Sequence, residues 1–382
     1  MILLKNVDVY SPKHVGAKDI LICGEKIEQI EDHIDIDANY VTIFDGKGKT
    51  AIPGIIDQHV HITGGGGEGG FSTRAPELKL ADMIESGITT IVGLLGTDAS
   101  TRSVENLVAK TKAINEQGFT AFCLTGAYEY PSPTVTGSVR KDIVFIDEVI
   151  GCKIALSDHR SSHMTMEEFT RLASEVKVAG MLSSKPQLLA VHMGEGKGGM
   201  YPIFSAVEDS DLPVNLFRPT HLNRSKRLVE ESFELAKRGG YVDYTCGFDL
   251  SQSTRPSAII KAALKAGVPT DKMTFTSDGY GSFSTYDDEG NLEQIGIATL
   301  SAVFNELRHM VREDGFTFEN ALPFMTTNVA AGLNVADSKG ELKKGYDADL
   351  LILNVDLEID TFIAKGKVFK QEGNTTLRFP FE

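Results

Sequence analysis

The sequence predicts an α/β protein: a (β/α)8 TIM-type barrel with a small β-domain formed from both termini. Three observations carry this prediction. Strand-like and helix-like segments alternate through the middle of the chain, as βα units require. Eight strand candidates fall in that region, the count of a closed barrel. Both ends of the chain are β-rich instead, and polar residues suited to chemistry recur where the central strands should end, which is where barrel enzymes place their sites. A doubly wound open sheet is the alternative that alternation alone leaves open.

In chain order, residues 1–50 read as short strands separated by turns. Residues 20–23 and 26–30 flank Gly24-Glu25, a two-residue hairpin signal. The same texture returns at 348–353 and 364–369. The expected division is therefore 1–50 with 335–382 as one discontinuous β-domain, and 51–334 as the barrel. Barrel strands are expected to begin near Gly54, Thr89, Thr120, Cys152, Gln187, Val214, Tyr241 and Met273. Helical patterns such as 103–116, 226–237 and 257–266 lie between them. No short tandem repeat, low-complexity stretch or charged tail interrupts the pattern.

Composition narrows the function. The chain has 382 residues, 41% hydrophobic and 24% charged, an ordinary globular balance. Lys plus Arg total 38 and Asp plus Glu total 53, so the net charge of −15 argues against a general nucleic-acid or anionic-membrane binder. No apolar run approaches the roughly 18 residues of a membrane span. The start, Met1-Ile2-Leu3-Leu4-Lys5-Asn6-Val7-Asp8, reads as a strand rather than a signal peptide. Cys23, Cys123, Cys152 and Cys246 are far apart and form no C-x-x-C, which suits reduced cysteines of a cytoplasmic protein.

The sharpest local signal is Asp57-Gln58-His59-Val60-His61. Side chains alternate along a strand, so His59 and His61 share a face and two imidazoles can hold one divalent metal. Alone the pattern also fits two surface histidines. Gly64-Gly65-Gly66-Gly67 follows, either a loop that lets a ligand approach the backbone or a plain connector. His192 ends the apolar run 188–191, His221 follows Phe217-Arg218-Pro219-Thr220, and Asp278 follows 273–277. One such residue is ordinary; all of them at successive strand ends point to zinc or another borderline divalent metal. Lys153 lies within the apolar strand 152–157. Either it sits at the strand edge with its ammonium reaching water, or a neutral amine has captured carbon dioxide as a carbamate that bridges two metals.

Together these residues resemble the amidohydrolase superfamily. Asp57-Gln58-His59-Val60-His61 on the first barrel strand, Lys153 on the fourth, His192 and His221 on the fifth and sixth and Asp278 on the eighth match its binuclear ligand pattern. Gly345-Tyr346-Asp347-Ala348-Asp349-Leu350 is similar to the segment by which these chains return to their β-domain. Within the superfamily the sequence resembles the isoaspartyl (β-aspartyl) dipeptidases, on the stretches 64–68, 92–98, 124–128, 157–161, 219–224 and 277–282. The resemblance spans essentially the whole chain. Loop tips vary, for instance at 195–199 and around Phe248 to Arg255.

The resemblance implies that His59, His61 and Asp278 hold one zinc, that His192 and His221 hold a second, and that carboxylated Lys153 and a hydroxide bridge them. It implies hydrolysis of β-aspartyl dipeptides to aspartate and an amino acid, and a role in clearing isoaspartyl peptides left by protein damage. Hydroxide would attack the amide while Asp278 acts first as base and then as acid. Tyr128 would donate to the carbonyl oxygen, although a tyrosine after Thr-Gly-Ala also fits a packing role. Such a dipeptide carries one ammonium and two carboxylates. Glu68 would meet the ammonium, and Arg160 and Arg224 the carboxylates, with Thr97, Ser282 and the Gly66 and Gly67 backbone completing the pocket. His159 and His163 match no ligand position and are expected to be structural or solvated.

A homo-oligomer is also implied, an octamer being one expected form. Neither a nucleic-acid nor a membrane partner is expected. Two other readings compete: a dihydroorotase or hydantoinase type of cyclic amidase, which shares the metals but has no ammonium for Glu68 to receive, and a non-catalytic scaffold, which would be expected to have lost ligands.

Overall fold

The computed structural model describes residues 1–36, 38–247, 254–286, 292–376 and 379–380, with 284–286 and 292 described by their backbone alone. Most of the variable loop around Phe248 to Arg255 therefore lies outside the described residues, as do Leu377, Arg378, Phe381 and Glu382 of the expected C-terminal segment.

Five strands come first: β1 (Ile2–Ser11), β2 (Lys13–Cys23), β3 (Lys26–Glu31), β4 (Thr42–Asp45) and β5 (Thr50–Pro53). Eight more follow through the middle of the chain: β6 (Ile55–Val60), β7 (Ile88–Gly93), β8 (Thr120–Gly126), β9 (Val149–Leu156), β10 (Leu189–Met193), β11 (Phe217–Thr220), β12 (Val242–Thr245) and β13 (Met273–Thr276). A hairpin, β14 (Ser282–Tyr286) and β15 (Leu292–Ile297), comes next, and β16 (Leu350–Leu353), β17 (Ile359–Ala364), β18 (Lys367–Gln371) and β19 (Asn374–Thr375) end the chain.

Strands β6 to β11 form a parallel sheet in sequence order, and β12 pairs with β13. β11 runs beside β12, and β13 beside β6, so the two sheets curl into a ring. One helix follows each barrel strand: α1 (Leu80–Glu85), α2 (Val104–Glu116), α3 (Val139–Phe145), α4 (Met166–Ser183), α5 (Tyr201–Glu208), α6 (Lys226–Lys237), α7 (Pro256–Lys265) and α8 (Ser301–Arg312). Several begin with side-chain caps. Ser103 accepts from the Asn106 N–H, Ser225 from Leu228, and Thr165 with Glu168 forms a capping box. Two expected strand starts shift: β9 begins three residues before Cys152, and Val214 opens a 3-10 turn ahead of β11. Pro213, extended at φ −73° and ψ 140°, immediately precedes that turn.

The nine-stranded sheet takes strands from both ends of the chain, with β5 between β1 and β16. Period-two alternation in β16 explains how it serves two cores. Leu351 and Leu353 join the large core of the barrel, whereas Leu350 and Ile352 face a second core with Val7, Val9, Ile20 and Ile27. Buried Lys339 bonds Asp347 (2.7 Å) and Asp349 (2.6 Å), fixing the return segment where it rejoins the sheet. Aromatic packing joins the two parts. The Phe119 ring, at the entry to β8, lies 4.6 Å from that of Phe369 and 6.0 Å from that of Phe362.

Phe119→Ala should therefore destabilise the whole protein by about 3–5 kcal/mol, the cost of emptying a closed aromatic core. Urea unfolding followed by circular dichroism measures it, and an unchanged midpoint would contradict this packing.

Candidate metal centre and substrate pocket

Five of the six expected ligands sit at or just past the carboxyl end of a barrel strand, and Lys153 lies in the C-terminal half of its strand. β6 carries His59 and leads into His61; Lys153 is in β9, His192 in β10, His221 directly after β11, and Asp278 two residues after β13. None of the six is more than 4% exposed. His59, His221 and Asp278 present ligand atoms that all lie within 4.8 Å of one another. Asp278 Oδ1 is 3.2 Å from His61 Nε2 and 3.5 Å from His59 Nε2. His59 Nε2 is 2.9 Å from Lys153 Nζ, and the His192 and His221 rings are 4.6 Å apart.

Backbone geometry that no motif reveals helps to gather them. His221 (φ 63°) and Asp278 (φ 54°) both adopt the left-handed region just past a strand. For residues with a Cβ this costs about 1–3 kcal/mol, and such strain clusters where function needs it. It turns each side chain toward the shared centre.

A carboxylate also sets the tautomer of His192. Asp158 Oδ2 is 2.9 Å from His192 Nε2, and Tyr128 Oη is 2.5 Å from His192 Nδ1. With Nε2–H donated to the carboxylate, the lone pair is on Nδ1. His221 Nδ1 is 2.7 Å from Thr245 Oγ1, and donation there leaves the lone pair on Nε2. Burial first, then the neighbouring cationic groups, holds His59 and His221 far below the usual histidine range. Burial does the same to His192 despite the opposing pull of Asp158. All three are neutral imidazoles, the form that ligates.

Below the ligands, two buried carboxylates tie the strands together. Asp57 accepts from the Ser277 hydroxyl (2.5 Å) and from the backbone N–H groups of Ser277 and His59 (3.2 Å each), joining β6 to the turn that bears Asp278. Asp243 accepts from Thr220 (2.7 Å), Thr274 (2.6 Å), Thr276 (2.6 Å) and Gln58 (3.3 Å), joining β6, β11, β12 and β13. Burial raises both carboxyls, Asp57 to about 7.

Lys153 is completely buried, so the strand-edge reading in which its ammonium reaches water does not hold. Burial lowers its amine to about 7. Its hydrogen-bonding neighbour is an imidazole, and among the described residues no carboxylate lies within ion-pair distance. An enclosed amine with its pKa lowered to about 7, beside four ligating side chains, fits a carbamate and two divalent ions. His61 Nε2, 3.2 Å from Asp278 Oδ1, is a further donor in the same set.

The substrate candidates lie beside this cluster. The loop holding Glu68 is clamped by Arg102, which donates to the Thr63, Gly65 (3.1 Å) and Ala75 (2.9 Å) carbonyls. Glycine is required at Gly64, where φ is +78° and a Cβ would stand 2.3 Å from the Ala75 carbonyl. Glu68 Oε1 accepts from Ser282 (2.8 Å), Thr97 (3.1 Å) and Arg160 Nη1 (3.4 Å). Its Oε2 is buried and has no partner among the described residues. Gly66, Gly67, Glu68 and Thr97 share a cavity of about 210 Å³ with Phe71 and Arg74. Arg224 is half-buried just past His221, and its charge bears on Tyr128 and the three neutral imidazoles. Burial raises the Tyr128 phenol well above its usual value, so it stays a hydrogen-bond donor.

His159 and His163 are exposed and stand apart from the ligand set. Asp57, Arg102, Asp158, Asp243 and Thr245 were not singled out by sequence reasoning for any role. Of these, Asp57 and Asp158 lay inside motifs already in view, but their partners are distant in sequence.

Comparison with known proteins agrees with this geometry. The amidohydrolase family model matches residues 50–369. A β-aspartyl dipeptidase from Fervidobacterium islandicum AW-1, solved in complex with β-Asp-Leu dipeptide, is 40% identical over the full length of both chains, with a TM-score of 0.93. A dihydroorotase of Listeria welshimeri is 25% identical over all of this chain and 96% of its own. A D-hydantoinase from a Thermus species shares the fold, with a TM-score of 0.68 at 15% identity over 98% of this chain and 96% of its own. The chain belongs to the amidohydrolase family and, by its full-length match, to the β-aspartyl dipeptidases within it.

Proposed function

We propose that this protein hydrolyses β-aspartyl dipeptides at a binuclear metal centre, releasing aspartate and an amino acid. The observation that carries the reading is Glu68. One carboxylate oxygen is held by three donors while the other is buried with no partner among the described residues, beside the metal-ligand cluster. That is the acceptor a substrate ammonium needs, and a cyclic amide such as dihydroorotate offers none.

His59, His61 and Asp278 would hold one ion, His192 and His221 the other, with carboxylated Lys153 between them; the imidazole and carboxylate donors suit zinc. Bound there, the ions supply Lewis acidity, polarising the amide carbonyl and lowering the pKa of water. Asp278 takes the proton released as the carbonyl is attacked and delivers it to the departing amine nitrogen. Tyr128 keeps its proton and donates a hydrogen bond to the carbonyl oxygen as charge grows there. Arg160 and Arg224 receive the two substrate carboxylates, Glu68 the ammonium, and the Gly66 and Gly67 backbone lines the cradle. A homo-oligomer, implied by the family resemblance, and a cytoplasmic location, suggested by the scattered cysteines, belong to the same reading. Among the described residues no helix is long and apolar enough to cross a membrane.

Glu68→Gln keeps the shape and removes the charge. It should lower kcat/KM for β-Asp-Leu by at least about 30-fold, the cost of unpairing a buried ion pair. Unaffected cleavage, or efficient turnover of dihydroorotate by both proteins, would favour the cyclic-amidase reading. Lys153→Ala, prepared with zinc and bicarbonate, should lose most of its metal by elemental analysis and most of its activity. A short carboxylic acid should restore part of both. Full metal content in this variant would contradict the bridging role.

A further inference from the structure

We infer that Asp158 is the positioning residue that joins substrate recognition to the metal centre, by holding Arg160 and His192 with one carboxylate. This inference rests on the dipeptidase reading and adds a residue to it. Asp158 is 4% exposed. Its Oδ1 accepts from Arg160 Nε (2.9 Å) and from the Arg160 backbone N–H (2.8 Å). Its Oδ2 accepts from Arg160 Nη2 (2.8 Å) and from His192 Nε2 (2.9 Å). One side of the guanidinium is thus gripped in bidentate fashion. The Nη1 side is left facing Glu68, 3.4 Å away, where the substrate's charged groups would gather.

The same carboxylate decides which nitrogen of His192 keeps its lone pair. A carboxylate that accepts from a ligating imidazole fixes its tautomer and orientation. Tyr128 packs against the same unit, with the Arg160 guanidinium carbon 5.3 Å from its ring centre. A single side chain therefore sets the aim of a substrate-binding arginine and of a metal-ligating histidine. Ser157, immediately before it, takes the left-handed conformation (φ 51°), and its backbone carbonyl accepts from the Gly196 N–H (2.6 Å), so Asp158 projects from a braced turn.

The test uses Asp158→Asn, whose amide can offer an oxygen to one partner but no longer to both. Wild type and variant are prepared with zinc and bicarbonate. Metal content is read by elemental analysis, and kcat and KM are read on three peptides. These are β-Asp-Leu, β-Asp-Leu amide, which lacks the C-terminal carboxylate, and β-Ala-Leu, which lacks the α-carboxylate. KM for β-Asp-Leu should rise by about 30-fold or more, as for a disrupted buried charge pair. For the truncated peptide that lacks the carboxylate held by Arg160, KM should differ little between the two proteins. Zinc should fall below the wild-type ratio. In an Arg160→Ala background, Asp158→Asn should add little further to KM, because the two act as one unit. Asp158→Glu keeps the charge, should recover part of both properties, and serves in the same cycle if the asparagine variant does not fold. Equal KM increases on all three peptides, additive effects with Arg160→Ala, or unchanged KM and zinc would overturn the inference. Metal content is read without substrate. Failure of the wild type to cleave β-Asp-Leu would therefore sink the dipeptidase reading while the Asp158–His192 link is still measured.

Discussion

The architecture of the site depends on a lysine amine with no access to water. Lys153 is enclosed within β9, with an imidazole nitrogen 2.9 Å away. Burial opposes a protonated amine there and, against the pull of Asp278 and Asp243, lowers its pKa to about 7, so the neutral form is available near neutral pH. The three neutral imidazoles around it obey the same rule. Low dielectric leaves the centre as a set of imidazole and amine lone pairs with one carboxylate, Asp278, among them, a donor set suited to cations. Carboxylation of the amine would add the negative charge that two divalent ions need.

Around this centre the fold spends buried polar groups on alignment. Asp57 and Asp243 are removed from water, yet each is ringed by hydroxyl, amide or backbone donors drawn from strands distant in sequence. Each tie fixes the relative height of neighbouring strands, and strand height decides whether His59, His221 and Asp278 meet. The substrate side uses the opposite strategy. Glu68, Arg160 and Asp158 form a chain of ion pairs, two carboxylates to one guanidinium, which leaves acceptor capacity at Glu68 for a substrate ammonium. Burial opposes the ionisation of Asp158, but its bonds to Arg160 and His192 more than offset that and hold its carboxyl far below the usual range.

Much of this was legible in the sequence. The shared face of His59 and His61 follows from strand alternation; the α/β class follows from the βα rhythm, and the polar residues at successive strand ends favour the barrel over an open sheet. The helix expected at 226–237 coincides with α6 because Ser225 caps it and the apolar spacing is regular. Other features were hidden for identifiable reasons. The left-handed turns at His221 and Asp278 carry no residue signature, since glycine would have been the expected one. Asp158 stood beside Arg160 in a quoted motif, yet its second partner, His192, is 34 residues away. The Asp243 network needs four strands in register before any of its bonds exists. Lys153 shows the limit of local reading most clearly: its strand admitted both a solvated and an enclosed ammonium, and only the closed ring of strands decides between them.

The most direct test of the account is a paired hydrolysis assay on the purified protein supplied with zinc and bicarbonate. β-Asp-Leu and α-Asp-Leu are offered separately and released leucine is quantified. The account predicts rapid release from the β-linked peptide and little from the α-linked one, because Glu68, Arg160 and Arg224 are arranged for the charges of an isoaspartyl group. Equal cleavage of both, or cleavage of neither with metal bound, would contradict it.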